Sequence, residues 1–514
     1  MNPDVIIFTD VAVHGFGRYA GTYRIASELR SHGYVVQVVD FFTEYTTNEL
    51  KEIIRKFVGK NTLWIGLSNT FLASDIVEDS PTKWWNNPDW KPGTYDPHSK
   101  QMQQLARHVG RDDWPELVQL ARMLNSNIKI AVGGVKTVSH SIDEEWRRKG
   151  FFDYRMVGQG ESSALRLTIM LENNRNPPQS ILTLPYNDFP LSTIKYTDTD
   201  LVFPNESLPM EIARGCVFKC AYCAFDLNGK KLWEFNRQPK LVREDLQEAH
   251  DKYGSTSFMF CDDTYNDSVD KVKRFHKEFQ KLSYDMTWSS YARLDLIISH
   301  WDTAELLYES GARSIFFGVE TLNHESGKKI GKGMDPEKIK DGMYRLREKW
   351  PDVLVAWGMI IGLPGEDEDT LRKNFEWFLR DDCPVDIVAC WPLVIPTDNP
   401  YGEDNDHNSK MGNNPMYYGY EIQKDGSWKN EHMDLKHASS LANEYREKFR
   451  IKKERKGTMW PRSELFPTQN LMRVKNVGFT YEEMRQGDER INYNEIQRRR
   501  LAMKEQYREK LMRL

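Results

Sequence analysis

Gly215-Cys216-Val217-Phe218-Lys219-Cys220-Ala221-Tyr222-Cys223 sets three thiols on one short loop directly after an apolar segment. Thiolates at this density suit a soft metal centre. Three of them around a cubane 4Fe-4S cluster would leave the fourth iron without a protein ligand and open to chemistry. Two plainer readings exist, a zinc knuckle and a redox pair of Cys220 and Cys223 with Cys216 incidental. No second Cys/His pair follows at zinc-finger spacing.

Outward from this loop, 514 residues are enough for two domains with appendages. A net charge of -5 argues against a chain whose main task is coating nucleic acid, so no nucleic-acid partner is expected. No apolar run reaches the length of a membrane span, and the longest, around Val353–Ile361, fits a buried strand. Met-Asn-Pro-Asp at the N-terminus lacks a basic region followed by an apolar core, so no signal peptide is expected. Six cysteines, three of them clustered, do not resemble a secreted disulfide framework, and a reducing cytoplasm is the expected compartment. Cys261, Cys383 and Cys390 lie in or beside strand-like segments, where a free thiol behaves as a small hydrophobe.

After the cysteines, strand-like runs at Ser257–Phe260, Met286–Tyr291, Ser314–Phe317, Val353–Ile361 and Ile387–Pro392 alternate with helical stretches. With the strand before Cys216 they make six β/α units over residues 210–400, too few for a closed eight-fold barrel. Such folds gather chemistry at the carboxyl ends of their strands. Polar or glycine-rich residues follow each run there: Asp262-Asp263, Arg293, Gly318-Val319-Glu320, Gly362-Leu363-Pro364-Gly365-Glu366 and Pro396-Thr397. Plainer roles exist here too. Asp262-Asp263 can cap the helix near Ser268, Arg293 can pair with Asp295, and Glu366 reads as a helix-start carboxylate favoured by the dipole.

Upstream, Val5–Phe8, Val35–Val39, Leu63–Leu67, Ile128–Val132 and Tyr154–Val157 alternate with helical stretches, which predicts an α/β, doubly wound, Rossmann-like domain over residues 1–173. Gly15 and Gly17, Ser68 and Thr70, Gly133 and Gly134, and Gly158, Gly160 and Glu161 fall in turns of this half. An insertion at about 70–116 carries Trp84, Trp85, Trp90 and Trp114. Residues 174–209 read as a linker, and residues 401–514 as a helical C-terminal extension with basic stretches.

The C-x3-C-x2-C spacing, with Tyr222 before the last cysteine, resembles the signature of the radical S-adenosylmethionine (radical SAM) superfamily, and the resemblance implies that the six β/α units form a partial (β/α)6 barrel over residues 210–400. The N-terminal half resembles the cobalamin-binding domain that precedes the barrel in one subgroup of it. The resemblance implies a 4Fe-4S cluster on Cys216, Cys220 and Cys223, whose open iron is chelated by SAM and whose electron cleaves SAM to methionine and a 5'-deoxyadenosyl radical. It implies SAM contacts from Tyr222, Asp262, Asp263, Arg293, Glu320, Gly362 and Pro364, and a cobalamin site at the N-terminal glycine turns, Ser68, Thr70 and Glu161. The chain departs from methionine-synthase-like domains in lacking their Asp-x-His-x-x-Gly motif: His14 has the wrong spacing. The expected partners are a one-electron donor such as flavodoxin or ferredoxin and an organic substrate. Lipid, tetrapyrrole, nucleoside and peptide substrates all fit the resemblance. With cobalamin the expected reaction is methyl transfer to an unactivated carbon, and without it a rearrangement or oxidation.

Overall fold

The computed structural model describes residues 2–11, 15–69, 109, 111, 113–134, 146–178, 181–182, 194–225, 227–395, 409–424, 426–456, 470–488 and 490–514. Thr70, His14, Trp84, Trp85, Trp90, Pro396 and Thr397 therefore lie outside the described residues. The chain forms two compact units, Met1–Phe203 with Gln497–Leu514, and Pro204–Ile496.

In the first unit, β1 (Val5–Phe8), β2 (Val36–Val39), β3 (Trp64–Ser68), β4 (Lys129–Gly133), β5 (Tyr154–Met156) and β6 (Ile181–Leu182) pair in the order β2-β1-β3-β4-β5-β6. Every pairing is parallel. β1 and β2 are buried along their whole length, as strands are when helices cover both faces of a sheet. The order reverses beside β1, the switch point of a doubly wound fold. Helix Thr47–Phe57 starts where Thr46 and Glu49 form a capping box and buries Leu50, Ile53, Ile54 and Phe57. Helix Gly160–Glu172 packs against helix Ala20–Ser31, and Gly160 makes room: a β-carbon there would sit 2.7 Å from Ile25 Cδ1.

Two segments that read as connector and appendage are built into this unit. Residues 174–209 supply β6, and Asp200 takes both amino groups of Arg30 at 2.8 Å while its carbonyl accepts from Arg18. Helix Tyr493–Leu511 returns from Gln497 onward, and its buried Arg500 donates to Asp10 at 2.6 Å and to the Gly15 carbonyl at 2.6 Å. Lys504 pairs with Glu49, and the Tyr507 hydroxyl donates to the Val38 carbonyl. Helical periodicity along the chain carries no sign of such a return, because the partners lie some 450 or more residues away.

In the second unit, β7 (Leu208–Glu211), β8 (Ser257–Cys261), β9 (Thr287–Ala292), β10 (Ala312–Glu320), β11 (Leu354–Ile361) and β12 (Ile387–Pro392) form one parallel sheet in consecutive order. That order without reversal is the succession of a β/α barrel, here six strands long. Side chains alternate between two faces. On the outer face Phe317 stacks on Trp350, and Trp357 on Trp377. The inner face carries Cys261, Tyr291, Phe316, Gly358 and Trp391, which continues in phase to Asp263, Arg293 and Glu320. Beyond β12, a short hairpin of β13 (Glu421–Ile422) and β14 (Trp428–Lys429) precedes helix Leu435–Lys456, whose Tyr445 stacks on Phe375 at 3.8 Å. Helix Asn470–Asn476 is tied to the start of β7, where Asn476 and Ser207 exchange hydrogen bonds of 2.6 and 3.0 Å.

Candidate functional site at the carboxyl end of the barrel

β7 leads into the cysteine loop through Gly215, at φ +70, where a β-carbon would lie 2.4 Å from Leu227 Cβ and 2.6 Å from the Leu227 carbonyl oxygen. Only glycine closes the loop this tightly. The Cys216 carbonyl then accepts from Gly229 and Lys230, and the Ala221 amide donates to Ile330. All three cysteines are free and partly exposed.

Each sulfur has polar company. Cys216 Sγ lies 3.2 Å from Thr264 Oγ1, Asn228 Nδ2 donates to Cys223 Sγ at 3.2 Å, and the Arg293 Nη1 points to Cys220 Sγ at 3.8 Å. Backbone amides of Phe218 and Phe225 add donors to Cys216 and Cys223. Burial nevertheless pushes both of those thiols above their ordinary value. Three thiols in one loop, with N–H groups aimed at their sulfurs, are a donor set that fits an iron–sulfur cluster, whose potential such bonds tune.

Around the loop the strand ends present a ring of charge. Arg293 spends Nε and Nη2 on Asp295 at 3.0 and 2.6 Å, its guanidinium carbon lies 4.0 Å from the Phe218 ring centroid, and its backbone is clamped by Asn266. Its planar fork is thus engaged, and Nη1 is the edge directed at the site. Burial alone would raise Asp295, but the hydrogen bonds and charge of Arg293 outweigh it and hold this carboxyl below its ordinary value. Glu320 adopts φ +70 after a register shift between Gly318 and Glu320, a conformation uncommon for a residue with a side chain. Tyr222 donates to its carboxylate at 2.7 Å, and Lys332 stands 3.5 Å away while also donating to the Gly318 carbonyl. Lys332 has no counterpart in the sequence reading, because it follows the short helix His324–Ile330 and no strand announces it.

The adjacent carboxylates part company. Asp263, in phase with Cys261, stands at the exposed inner rim. Asp262 points outward, is buried, and bonds Lys271 at 2.8 Å. Asp262 therefore anchors helix Val269–Phe279, whose N-terminus is capped by Ser268. Gly362 and Pro364 lie in the turn after β11, but a β-carbon on Gly362 would meet Trp428 at 2.5 Å, and its carbonyl accepts from Tyr420 at 2.6 Å. This turn faces the C-terminal segment. Glu366 departs from its reading as a helix-start carboxylate: Asp367 caps helix Glu368–Phe378, while Glu366 is buried, bonded to Thr321 and to the Leu363 amide, and burial pushes it up to about 8.

In the first unit, Gly15, Gly134 and Gly158 take positive φ, and Ser68 ends β3 beside Gly133. Next to Ser68, the Asn69 amide donates to the Gly133 carbonyl, and its buried Oδ1 has no partner among the described residues. A ligand hydroxyl or amide is an ordinary partner for such an atom, so these strand ends fit a polar cofactor. Gly160 and Glu161 serve packing instead, against Ile25 and as an ion pair with Arg24 at 3.5 Å.

The fold and this constellation define a class, an α/β protein of two parallel sheets whose second sheet is an open barrel with a thiol loop at its carboxyl end. Residues 210–378 match the radical SAM superfamily model. It is similar to an uncharacterised methyltransferase of Pyrococcus horikoshii, 23% identical over 52% of this chain and 61% of the relative. It is also similar to the anaerobic magnesium-protoporphyrin IX monomethyl ester cyclase of Synechocystis, 24% identical over 45% and 50%. The chain thus spans 61% and 50% of the length of these two curated relatives. Its fold matches the radical SAM methyltransferase TsrM of Kitasatospora setae at TM-score 0.54 and 14% identity, over 75% of this chain and 72% of that one. It matches the cobalamin-dependent radical SAM enzyme OxsB at TM-score 0.53 and 16% identity, over 81% and 56%. No helix among the described residues is long and apolar enough to cross a membrane.

Proposed function

We propose that the chain is a radical SAM enzyme in which Cys216, Cys220 and Cys223 hold a 4Fe-4S cluster and the inner rim of the barrel holds SAM. The observation that carries this is the cysteine loop at the end of β7, with a hydrogen-bonding group directed at each sulfur. When bound, such a cluster supplies the electron that splits SAM to methionine and a 5'-deoxyadenosyl radical, which takes hydrogen from an unactivated carbon. The chain's own residues bind and orient. Arg293, through Nη1, attracts the SAM carboxylate beside Cys220. Glu320, held by Tyr222 and Lys332, accepts from the SAM ammonium or the ribose hydroxyls, and Asp263 faces the same space. The electron would come from an external one-electron donor such as flavodoxin or ferredoxin.

Cobalamin-dependent methyl transfer is the favoured reaction. TsrM is described with cobalamin and a 4Fe-4S cluster, OxsB with aqua-cobalamin, and this chain shares their fold. Gly15, Gly133, Gly134, Gly158 and the orphan Asn69 Oδ1 support a corrin at the first sheet. The alternative is a cobalamin-free rearrangement or oxidation.

Anaerobic purification with iron, sulfide and corrin analysis, followed by an assay for 5'-deoxyadenosine after reduction with SAM, tests the proposal. Iron, deoxyadenosine and corrin together support methyl transfer. Iron and deoxyadenosine without corrin favour the alternative. Zinc with no SAM cleavage overturns both, as does cleavage that survives Cys→Ala at all three positions.

A further inference from the structure

Beneath the charged rim, the inner face of the barrel carries a layer of a different kind. Tyr291 on β9 and Phe316 on β10 are register partners, with ring centroids 5.3 Å apart and planes at 70°. Phe316 reaches across β11 toward Trp391 on β12, centroid to centroid 6.3 Å. It can do so because β11 has Gly358 at the crossing. A β-carbon there would sit 2.8 Å from Cε1 and Cζ of Phe316 and 3.8 Å from Oε2 of Glu320. One missing methyl group thus brings an aromatic face and the rim carboxylate together over a single strand.

Large aromatic side chains on the inner face of a barrel are ordinarily covered. Here Tyr291 is 38% exposed and Trp391 48%. Three rings spanning four strands, two of them open and the third passing over a glycine, make a low floor continuous with the rim. We infer that this floor is the substrate-binding surface, and that the substrate presents a flat, conjugated or aromatic ring system to it. The inference rests on the radical SAM reading, since the floor matters for chemistry only if the radical forms at the Glu320 rim. Flat rings find both faces and edges here at stacking distance, whereas a puckered saturated ring of the same size touches the floor at few points. Exposed aromatic area of this kind also gains most from being covered by apolar surface.

The test uses full-length protein carrying its cluster, with SAM present. Naphthalene-2-carboxylate serves as the flat probe and trans-decahydronaphthalene-2-carboxylate, of equal charge and similar size, as the puckered one. Equilibrium binding should favour the flat probe by about tenfold, an effect of the size that aromatic pairing contributes beyond area. Trp391→Leu and Gly358→Ala should each remove most of that preference, the second by pushing the Phe316 ring off the strand. Trp391 is half open, so its replacement is compatible with folding; if Gly358→Ala fails to fold, Phe316→Leu takes its place. Equal binding of the two probes, no binding of either, or a preference untouched by the substitutions overturns the floor. Absence of deoxyadenosine formation by the unsubstituted protein overturns the radical SAM reading instead, so the two failures are distinguishable.

Discussion

The Tyr222 hydroxyl and the Glu320 carboxylate meet at 2.7 Å, joining the cysteine loop to the end of β10. Burial pushes the Tyr222 hydroxyl well above its ordinary value, so it stays a donor at any physiological pH. Glu320, in a left-handed backbone conformation, is thereby held toward the thiols. Tyr222→Phe removes a hydrogen bond to a charged group, worth about 1.5–3 kcal/mol. SAM affinity of the cluster-loaded protein should fall at least tenfold while the cluster absorbance is kept. An unchanged affinity in equilibrium dialysis would make the contact mere scaffolding.

The two neighbouring aspartates should separate by phenotype. Asp262→Asn leaves buried Lys271 with Asp267 as its remaining carboxylate, at 3.2 Å, and breaking a buried pair costs about 3–5 kcal/mol. Denaturant unfolding should register that loss. Asp263→Asn should leave stability within about 0.5 kcal/mol, as exposed substitutions usually do, and lower deoxyadenosine formation. The opposite ranking would refute the inner and outer assignment.

Glu366 gives the second unit a pH signature. Burial raises it from an ordinary 4.5 to about 8. The folded state keeps the proton up to about pH 8 while the unfolded chain releases it near 4.5, so the folded form binds more protons in between. Its contribution is full below pH 4.5 and is lost as pH rises toward 8, a change of a few kcal/mol at most. Glu366→Gln, neutral at every pH, should flatten the stability profile over that window. A profile identical to that of the unsubstituted protein would contradict the buried, protonated state.

Arg500 latches the C-terminal helix to the turn after β1 through Asp10 and the Gly15 carbonyl, and to the segment after β2 through Glu44. Burial favours loss of its charge, but Asp10 and Glu44 outweigh this and raise it further. Arg500→Met strands Asp10 in the interior at a cost of about 3–5 kcal/mol to the first unit. Limited proteolysis should then release the C-terminal helix, and hydroxocobalamin affinity should drop while iron content stays constant. Retained protease resistance would mean that Lys504 and Tyr507 suffice as anchors.

How far the sequence could be read depended on range. Strands β1–β5 and β7–β12 and the thiol loop were legible because their signals, short apolar runs and a fixed cysteine spacing, are local. The sides of Asp262 and Asp263 were legible in principle: counting by twos from Phe258 and Phe260, which pack outward, puts Asp262 outside and Asp263 inside. Glu366 was not legible, because Glu366, Asp367, Glu368 and Asp369 are four consecutive acids and only the three-dimensional turn decides which one caps the helix. Lys332 and the aromatic floor were hidden for a related reason. Each residue is unremarked in its own segment and acquires meaning from strands that are distant in the chain.

The first unit is built from Met1–Phe203 and Gln497–Leu514, with the whole of the second unit threaded between them. During vectorial synthesis the N-terminal sheet leaves the ribosome with Asp10 and Glu49 lacking their C-terminal partners, Arg500 and Lys504. At about ten residues per second, those partners emerge on the order of half a minute later. The nascent sheet is therefore an unfinished fold throughout translation of the barrel. A stop or frameshift anywhere in the barrel would damage the N-terminal unit as surely as the barrel itself.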